Sequence, residues 1–362
     1  MRFTILNWNI GGAKFLEEKT KNERKRTRSA LNRALRQIIR TRELAPDVVT
    51  LQEIVQYREP DDDKTHDILD TIGGYRYFPF TLIDTDVVSA RAKWEKVLRD
   101  SDWHRDTYFA QGNAFLVKKD APVFPVWDLS DLRQKSPATD KEHFVEHVHL
   151  DSGLYFGDRN TEPRAALVIH FIYDPGSGSG HRKPVDIFVV NLHLTTLMKE
   201  REGVPEVDTL AEQTRLSQLH IVFNGIVSRY NSWRQDRYPE RGEKREPRDH
   251  EDFERHSPVW ILAGDFNFTE DSVEYMYIKR RNFIDTVLHS RKITQWGSGT
   301  KAKGVGNDPT LTLDYIFAGP KFVSLDPMIE ERGISDNKVI HDRDLRASDH
   351  YPVYSKIEFT PW

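Results

Sequence analysis

The stretch Ile261 to Thr269, ILAGDFNFT, is an apolar run that breaks at Gly264 and then presents Asp265 and Asn267. Successive side chains of an extended strand alternate between two faces, so Asp265 and Asn267 are expected to emerge on the same face. A carboxylate and a carboxamide side by side at a strand's end can hold a divalent cation and a phosphate. The same letters are also typical of an Asx-rich turn after a buried strand, so the interpretation needs support from the rest of the chain.

Composition indicates a large globular chain. It has 362 residues, of which 38% are hydrophobic and 30% charged, with a formal net charge of -4. The absence of cysteine excludes disulfides, zinc-thiolate sites and thiol nucleophiles. Because no low-complexity linker divides the sequence, we expect one domain over residues 1–362, with inserted regions near 120–160 and 229–257.

The N-terminal stretch MRFTILNWNI has the pattern of a strand and lacks the features of a signal peptide. No run in the chain approaches the ~18 apolar residues that a membrane span needs. We therefore expect a cytoplasmic protein without stable membrane insertion. The sequence leaves the oligomeric state open.

Other strand-like runs also end in, or carry, polar residues of the kind seen after Gly264. The carboxyl ends of strands are where α/β sheets place their ligands, so these residues are candidates for one common site. Each alone has a plainer interpretation, as a surface carboxylate or a structural histidine. The residues are Asn9, Glu53, Asn191 with His193, Asp314, and Asp349 with His350.

The segment from Lys19 to Arg42 contains ten Lys or Arg residues and one acid, Glu23. Apolar residues within it recur at helical spacing, which predicts an amphipathic helix. Its charged back has two interpretations: a solvated helix face, or a surface that attracts the phosphates of a nucleic acid.

Taken in order, the polar motifs resemble those of the endonuclease/exonuclease/phosphatase superfamily, and the resemblance covers Ile5 to Ile357. This superfamily includes DNase I, AP endonucleases, neutral sphingomyelinases, inositol polyphosphate 5-phosphatases and deadenylases. The matching motifs are WNI with Asn9, LQE with Glu53, NLH with Asn191 and His193, GDFN with Asp265 and Asn267, LDYIF with Asp314, and SDH with Asp349 and His350.

The resemblance implies a DNase I-like α/β fold, a four-layer α/β/β/α sandwich. Two mixed, mostly antiparallel sheets pack face to face with helices outside, and the motifs lie at one edge of both sheets. The strand pattern agrees, since hairpin-like pairs outnumber clean βαβ units.

The resemblance also implies a divalent-metal centre for Mg²⁺ or Mn²⁺. The expected metal ligands are Asn9, Glu53 and Asp349, which are hard oxygen donors. The expected catalytic residues are His193, Asp265, Asn267, Asp314 and His350, with Asp314 fixing the His350 imidazole. Either Asp265 or His350 could take the proton from the attacking water, and one or two metals would fit. The candidate phosphate-binding residues are Asn191, Asn113 and Arg164.

The substrate class is left between two alternatives. The chain has Gly11 and the NLH motif where the AP-endonuclease branch has other residues, so it resembles the His-bearing branches. Those branches cut DNA, lipids, inositol phosphates and poly(A). The basic segment favours a phosphodiesterase that acts on DNA or RNA as a nuclease. The alternative is a phosphatase or sphingomyelinase-like phosphodiesterase on inositol-phosphate or lipid substrates. A binding protein without catalysis is disfavoured because every motif position is filled.

Overall fold

The fold was obtained as a computed structural model. The residues that it describes are 2–12, 15, 18–41, 44–59, 61–84, 108–124, 145–150, 164–173, 185–197, 200–230, 258–286, 311–319, 334–339, 348 and 350–358. None of the helices in these ranges is long and apolar enough to cross a membrane.

Strands dominate the described residues. They are β1 (Arg2–Asn9), β2 (Val48–Tyr57), β3 (His66–Asp67), β4 (Tyr75–Asp84), β5 (Phe109–Lys118), β6 (Val123–Phe124), β7 (Val145–His149), β8 (Ala165–Tyr173), β9 (Val185–His193), β10 (Val259–Asp265), β11 (Ile284–Asp285), β12 (Asp314–Gly319), β13 (Ile334–Val339) and β14 (Val353–Glu358).

Three helices are defined within the described ranges. They are α1 (Lys21–Thr41), α2 (Pro205–His220), which continues as a wider π-helical segment over Ile221–Val227, and α3 (Val273–Lys279). The amphipathic helix predicted over the basic segment is therefore present as α1. The predicted insertion near 120–160 contains β6 and β7. Of the predicted insertion near 229–257, residues 231–257 lie outside the described residues.

The strands form two mixed sheets. The first sheet has the order β13-β14-β1-β2-β5-β4, with β3 added to β2, and the second has the order β11-β12-β10-β9-β8-β6, with β7 added to β8. Most neighbours are antiparallel, while β1 with β2 and β9 with β10 are parallel pairs. This is the architecture that the resemblance implied.

Alternation within the strands explains the layers. In β1, Phe3 and Ile5 belong to a core shared by strands of both sheets, while Leu6 and Trp8 pack with α1 residues on the outer face. A third core joins the second sheet to α2 and α3. The molecule is thus helix, sheet, sheet, helix, and polar residues at the strand ends are brought to one edge between the sheets.

Candidate active site

Three neighbouring strands of the second sheet bring His193, Asp265 and Asp314 side by side. Asp265 is the last residue of β10 and stands opposite His193 in parallel β9 and opposite Asp314 in antiparallel β12. All three are buried, with 6%, 2% and 1% of their surface exposed. Strand register alone therefore brings together three of the five candidate catalytic residues.

Alternation keeps the site residues of the GDFN segment away from the core. Phe266 and Phe268 point into the helix-side core and are 0% and 2% exposed. There they meet the ring of Tyr315, at centroid distances of 5.9 and 5.4 Å. Because side chains alternate, Asp265 at the end of β10 faces the edge between the sheets, where it meets Asn9. Asn267 Nδ2 donates to the Leu194 carbonyl at 3.0 Å. The Asn267 N–H donates to Asp265 Oδ1 at 3.0 Å, and its backbone is left-handed, with φ 54°.

His350 connects the carboxylates of Asp314 and Asp265. Its Nδ1 lies 2.8 Å from Asp314 Oδ2, and its Nε2 lies 3.7 Å from Asp265 Oδ2. A carboxylate at Nδ1 favours the proton on that nitrogen, which leaves the Nε2 lone pair directed towards Asp265. This is the His-Asp couple that the sequence predicted, with both members buried.

The segment before β14 is fastened to the end of β1. Ser348 Oγ donates to the Asn9 carbonyl at 2.7 Å and accepts from the His350 N–H at 3.1 Å. The indole of Trp8 donates to the His350 carbonyl at 3.0 Å. These bonds hold the imidazole over the site. The predicted metal ligand Asp349 lies outside the described residues.

Asn9 bridges two carboxylates. Its Nδ2 donates to Asp265 Oδ2 at 2.9 Å and to Glu53 Oε1 at 3.2 Å, while its Oδ1 accepts from the Gly11 N–H. One amide thus holds the two acidic groups close together across the two sheets.

The sequence predicted that Glu53 lies at the end of a strand. In the structure it lies inside β2. The pairing of β2 with β5 shifts register between Leu51 and Ile54, and Glu53 at this bulge has φ 56°. A bulge redirects a side chain that would otherwise follow the alternation. A Cβ at Gly12 would lie 1.9 Å from the Glu53 carbonyl oxygen, so only glycine lets the chain after β1 pass this close.

His193 receives a hydrogen bond from Arg164. Arg164 Nη1 lies 2.9 Å from His193 Nδ1. A guanidinium only donates, so Nδ1 must accept and the proton of a neutral His193 resides on Nε2. That Nε2 lies 3.7 Å from Asp265 Oδ2. Arg164, expected to bind phosphate directly, is therefore placed where it fixes the His193 ring and its tautomer.

Asn191 occupies a different position from that expected of a phosphate-binding residue. It is 0% exposed, and its Nδ2 donates to the carbonyls of Leu51 and Ala114 in the other sheet. Its Oδ1 accepts from Gln52 Nε2 at 2.7 Å. These bonds favour a role in joining the sheets beneath the site. Asn113, also expected to bind phosphate, is 6% exposed and donates to the Ala165 carbonyl at 3.3 Å.

The sequence profile of the family described as "Endonuclease/Exonuclease/phosphatase family" matches residues 6–350. The chain belongs to the endonuclease/exonuclease/phosphatase family. Members are hydrolases that act on phosphoester bonds, and the family is generally dependent on divalent metals. None of the curated protein sequences matches the chain significantly.

Solved structures of the endonuclease/exonuclease/phosphatase family share the fold. A family protein from Bacteroides thetaiotaomicron has 13% sequence identity and a TM-score of 0.52, with 99% of this chain and 98% of that chain covered. The human nocturnin catalytic domain with bound sulfate has 15% identity and a TM-score of 0.50, with 99% and 95% covered. Mannosyl-6-phosphatase from B. thetaiotaomicron has 14% identity and a TM-score of 0.50, with 99% and 100% covered.

Sequence analysis missed a buried polar chain beneath the site of this family member. Thr50 Oγ1 and Gln52 Nε2 both donate to Asn7 Oδ1, at 2.7 and 2.9 Å, and Gln52 also reaches Asn191. The signal was available, because Asn7 interrupts an apolar run in β1 at an inward position. A polar residue there predicts a partner across the interface between the sheets.

The residues of the site suit the divalent cation on which the family depends. Ligand atoms of Asp265, Asp314 and His350 lie within 4.8 Å of one another. The carboxylate of Glu53 lies near this group, because the Asn9 amide donates hydrogen bonds to both Glu53 and Asp265. Carboxylates brought together in a buried place repel one another unless a cation accompanies them. Carboxylate and amide oxygens are the donors that Mg²⁺ and Mn²⁺ prefer.

The carboxyl group of Asp265 is strongly perturbed. Burial raises its pKa to about 7, because the charged form loses hydration. The neighbouring imidazole of His350 opposes the increase in pKa and the charge of Asp314 adds to it. The hydrogen bond from Asn9 lowers this pKa, and the charge of Glu53 raises it. A carboxyl group with a pKa near neutrality suits proton transfer at physiological pH.

This raised pKa predicts a pH-dependent loss of stability in the metal-free protein. The unfolded chain releases the Asp265 proton near pH 3.8 and the folded chain near pH 7, so stability falls as the pH rises through this window. The shift corresponds to a loss on the order of 4 kcal/mol. Asp265→Asn should remove this component and flatten the dependence of Tm on pH in the presence of EDTA.

The slope of Tm against pH is the informative quantity in that experiment. The substitution also loses one neutral hydrogen bond, either to Asn9 or to Asn267, which lowers Tm by a similar amount at every pH. Asp120→Asn is the matched control, because the Asp120 side chain is 75% exposed. A wild-type slope in the Asp265→Asn variant would contradict the prediction.

Proposed function

We propose that this chain is a divalent-metal-dependent phosphoesterase that hydrolyses phosphodiester bonds, with DNA or RNA as the first substrate class. The observation that carries the proposal is the placement of two imidazoles around one buried carboxylate. Nε2 of His193 and Nε2 of His350 each lie 3.7 Å from Asp265 Oδ2. Groups that can accept, donate and hold a proton are thereby gathered at one point of the sheet edge.

Hydrolysis of a phosphoester needs a neutralised phosphate, an activated water and a stabilised leaving oxygen. Glu53 and Asn9 would hold Mg²⁺ or Mn²⁺, together with Asp349 as the sequence predicts, and Asp265 lies beside them. The bound cation would supply charge neutralisation at the phosphate. Proton transfer, orientation of the water and hydrogen bonding to the phosphate are assigned to side chains of the protein.

The assigned roles follow from the hydrogen bonds. His350 has its Nδ1 proton held by Asp314, so its Nε2 can take a proton, and Asp265 at 3.7 Å is the alternative base. His193 has its Nδ1 occupied by Arg164, so its Nε2–H can donate to a phosphate oxygen as negative charge develops. Asn267 is assigned to orient the water and hold a phosphoryl oxygen.

A specific observation supports the second candidate, a phosphatase or a phosphodiesterase of small or lipid substrates. One cation of α1 is buried and others pair with acids at the surface, which reduces the net positive charge that this helix offers to a nucleic acid. Arg24 is 0% exposed and pairs with Glu59 at 2.7 Å, so it cannot reach a phosphate of the substrate. The further pairs are Arg28 and Arg36 with Asp70, both at 2.9 Å, and Lys21 with Asp61 at 2.7 Å.

Lys25 and Arg26 are exposed on α1 and test whether this helix contributes to binding a nucleic acid. If both side chains contact phosphates, the double substitution to Gln should change the salt dependence of binding. The slope of the logarithm of the association constant against the logarithm of the salt concentration should become less negative by roughly 0.7 to 0.9 per contact. Fluorescence anisotropy with labelled DNA and RNA measures the slope. Arg2→Gln is the control, because Arg2 is exposed at the other end of β1 from Asn9. An unchanged slope would remove the support from α1 and leave the second candidate favoured.

A substrate panel tests the proposed function itself. Wild-type protein and the His350→Ala variant are incubated with Mg²⁺, Mn²⁺ or EDTA and one of five substrates. These are supercoiled plasmid, single-stranded DNA, RNA, sphingomyelin vesicles and inositol phosphates. We expect hydrolysis of DNA or RNA that requires the cation and is lost in the variant. Hydrolysis of the inositol phosphates or sphingomyelin alone would replace the nuclease with the second candidate, and hydrolysis of none would contradict the proposal.

A further inference from the structure

Arg201 is held beside the candidate site, in the loop between β9 and α2. Its Nη2 donates to the carbonyl of Asn267 at 2.8 Å and pairs with Glu200 Oε1 at 3.2 Å. Its backbone N–H donates to Asp208 Oδ1 at 2.7 Å. These contacts fix both ends of the side chain next to a residue assigned to hold a phosphoryl oxygen.

The backbone conformation of Arg201 is unusual. Its φ is 65°, in the left-handed region, which side chains longer than Asn and Asp seldom adopt. Glu53 and Asn267 of the candidate site share this feature, as do Ala45 and Asn282 elsewhere in the described residues. Strained conformations persist where the surrounding structure enforces them, and they concentrate at functional sites.

A buried ion network keeps the anchor of Arg201 in place. Arg215 Nη1 lies 2.7 Å from Glu200 Oε1, and Arg215 Nε lies 2.8 Å from Glu274 Oε1. The three side chains are 6%, 4% and 1% exposed. Arg215 also donates to the Thr195 carbonyl, two residues after His193. Because Glu200 cannot move without breaking this network, the guanidinium of Arg201 is pre-organised.

Arg201 differs from Arg215 in its access to solvent. The Arg201 side chain is 32% exposed, whereas that of Arg215 is 6% exposed. A guanidinium carries five N–H donors, and both side-chain contacts of Arg201 among the described residues use Nη2. An anchored, accessible guanidinium is suited to the bidentate binding of a phosphate.

We propose that Arg201 binds a second phosphate of the substrate, next to the phosphoester that is cleaved. This inference rests on the proposed function and adds to it a requirement for two neighbouring phosphates. Asn267 connects the two subsites, since its backbone carbonyl accepts from Arg201 and its own N–H donates to Asp265. A nucleic-acid chain and a polyphosphorylated small molecule both offer this chemistry.

Binding measurements test the inference independently of turnover. Isothermal titration in the presence of Ca²⁺ compares adenosine 3′,5′-bisphosphate with adenosine 5′-monophosphate, and inositol 1,4-bisphosphate with inositol 1-phosphate. A charge-assisted hydrogen-bond pair predicts that the wild-type protein prefers the second phosphate by about ten- to hundredfold. The pair of ligands that shows this preference identifies the source of the phosphate.

The variants separate phosphate binding from support of Asn267. Arg201→Gln should abolish most of the preference, and Arg201→Lys should retain part of it, because a lysine keeps the charge without the bidentate geometry. Arg280→Gln, an exposed arginine at the end of α3, should keep the wild-type preference. A role limited to holding Asn267 would weaken both ligands of a pair equally. No preference in the wild-type protein for either pair, or a full preference in Arg201→Gln, would overturn the inference.

If the wild-type protein hydrolyses none of the panel substrates, the proposed function fails. If it does hydrolyse a substrate but Arg201→Gln keeps the two-phosphate preference, only the role of Arg201 fails. The two results are therefore distinguishable.

Discussion

His350→Ala is expected to lower kcat by about 10² to 10⁴, the range that a positioned acid-base group contributes. The imidazole lies between Asp314, 2.8 Å from its Nδ1, and Asp265, 3.7 Å from its Nε2. Asp314→Asn should lose a comparable factor. An asparagine that offers its NH₂ group to Nδ1 would favour the tautomer with the proton on Nε2, which removes the lone pair that faces Asp265.

The double variant is the sharper test of this couple. If His350 and Asp314 act as one unit, the double substitution should be little worse than the worse single substitution. Steady-state kinetics on the best substrate of the panel gives the three values, and thermal denaturation confirms that each variant is folded. Fully multiplicative losses would show that the two residues work separately.

The His170–Asp186 pair provides a matched control. His170 in β8 and Asp186 in β9 belong to the second sheet, which also contains Asp314. His170 Nε2 lies 2.9 Å from Asp186 Oδ1, and both residues are buried. His170 stacks on Phe188 at 4.2 Å, away from the carboxylates of the site. His170→Ala should lower Tm but keep kcat per folded molecule. A similar loss of kcat in this control would mean that the effect of His350→Ala reflects general disruption of the sheet.

The parts of the site that the sequence predicted are those governed by alternation and strand order. Asp265 precedes the buried Phe266 in sequence, so burial of the aromatic ring on one face places the carboxylate on the other. Asp314 precedes the aromatic Tyr315 and follows the same rule. Such a pattern is local, which is why the sequence alone contains it.

Features that depend on contacts between distant segments were not predictable in the same way. Glu53 reaches the site through a bulge in the pairing of β2 with β5. The sequence LQE does not predict the left-handed backbone conformation that Glu53 adopts there. The burial of Arg24 depends on Glu59, which lies 35 positions away. A run of Lys and Arg residues in the sequence gives the total positive charge of a segment. The positive charge that a ligand meets depends on which acidic residues pack against that segment.

The two asparagines of NLH and WNI show the same limit within one motif set. Asn9 faces Glu53 and Asp265, whereas Asn191 joins the sheets through main-chain carbonyls. Both asparagines follow a run of mostly apolar residues in the sequence, so the sequence predicts the same environment for the two side chains. Their depth between the sheets separates them, because the bonds of Asn191 lie with Leu51 and Ala114 beneath the carboxylates.

Glu53→Gln is expected to abolish most metal-dependent turnover while the fold survives. Glutamine has nearly the same shape and can still accept the 3.2 Å bond from Asn9, but it lacks the anionic charge that attracts a divalent cation. Metal catalysis is worth several kcal/mol of transition-state stabilisation, so losing this carboxylate ligand should cost about 10²-fold or more in kcat/KM. The loss should be greatest at limiting Mg²⁺.

Metal-induced stabilisation gives a second readout that does not require turnover. A cation that binds only the folded protein raises Tm in proportion to the logarithm of its concentration above Kd. Titration of the wild-type protein with Mn²⁺ should therefore raise Tm, and Glu53→Gln should shift that titration to higher concentration. Glu206→Gln, an exposed glutamate in the first turn of α2, should behave as wild type in both assays. Near wild-type activity of Glu53→Gln at limiting Mg²⁺, with an unshifted Mn²⁺ titration, would show that Glu53 is not a metal ligand and that its bulge serves another purpose.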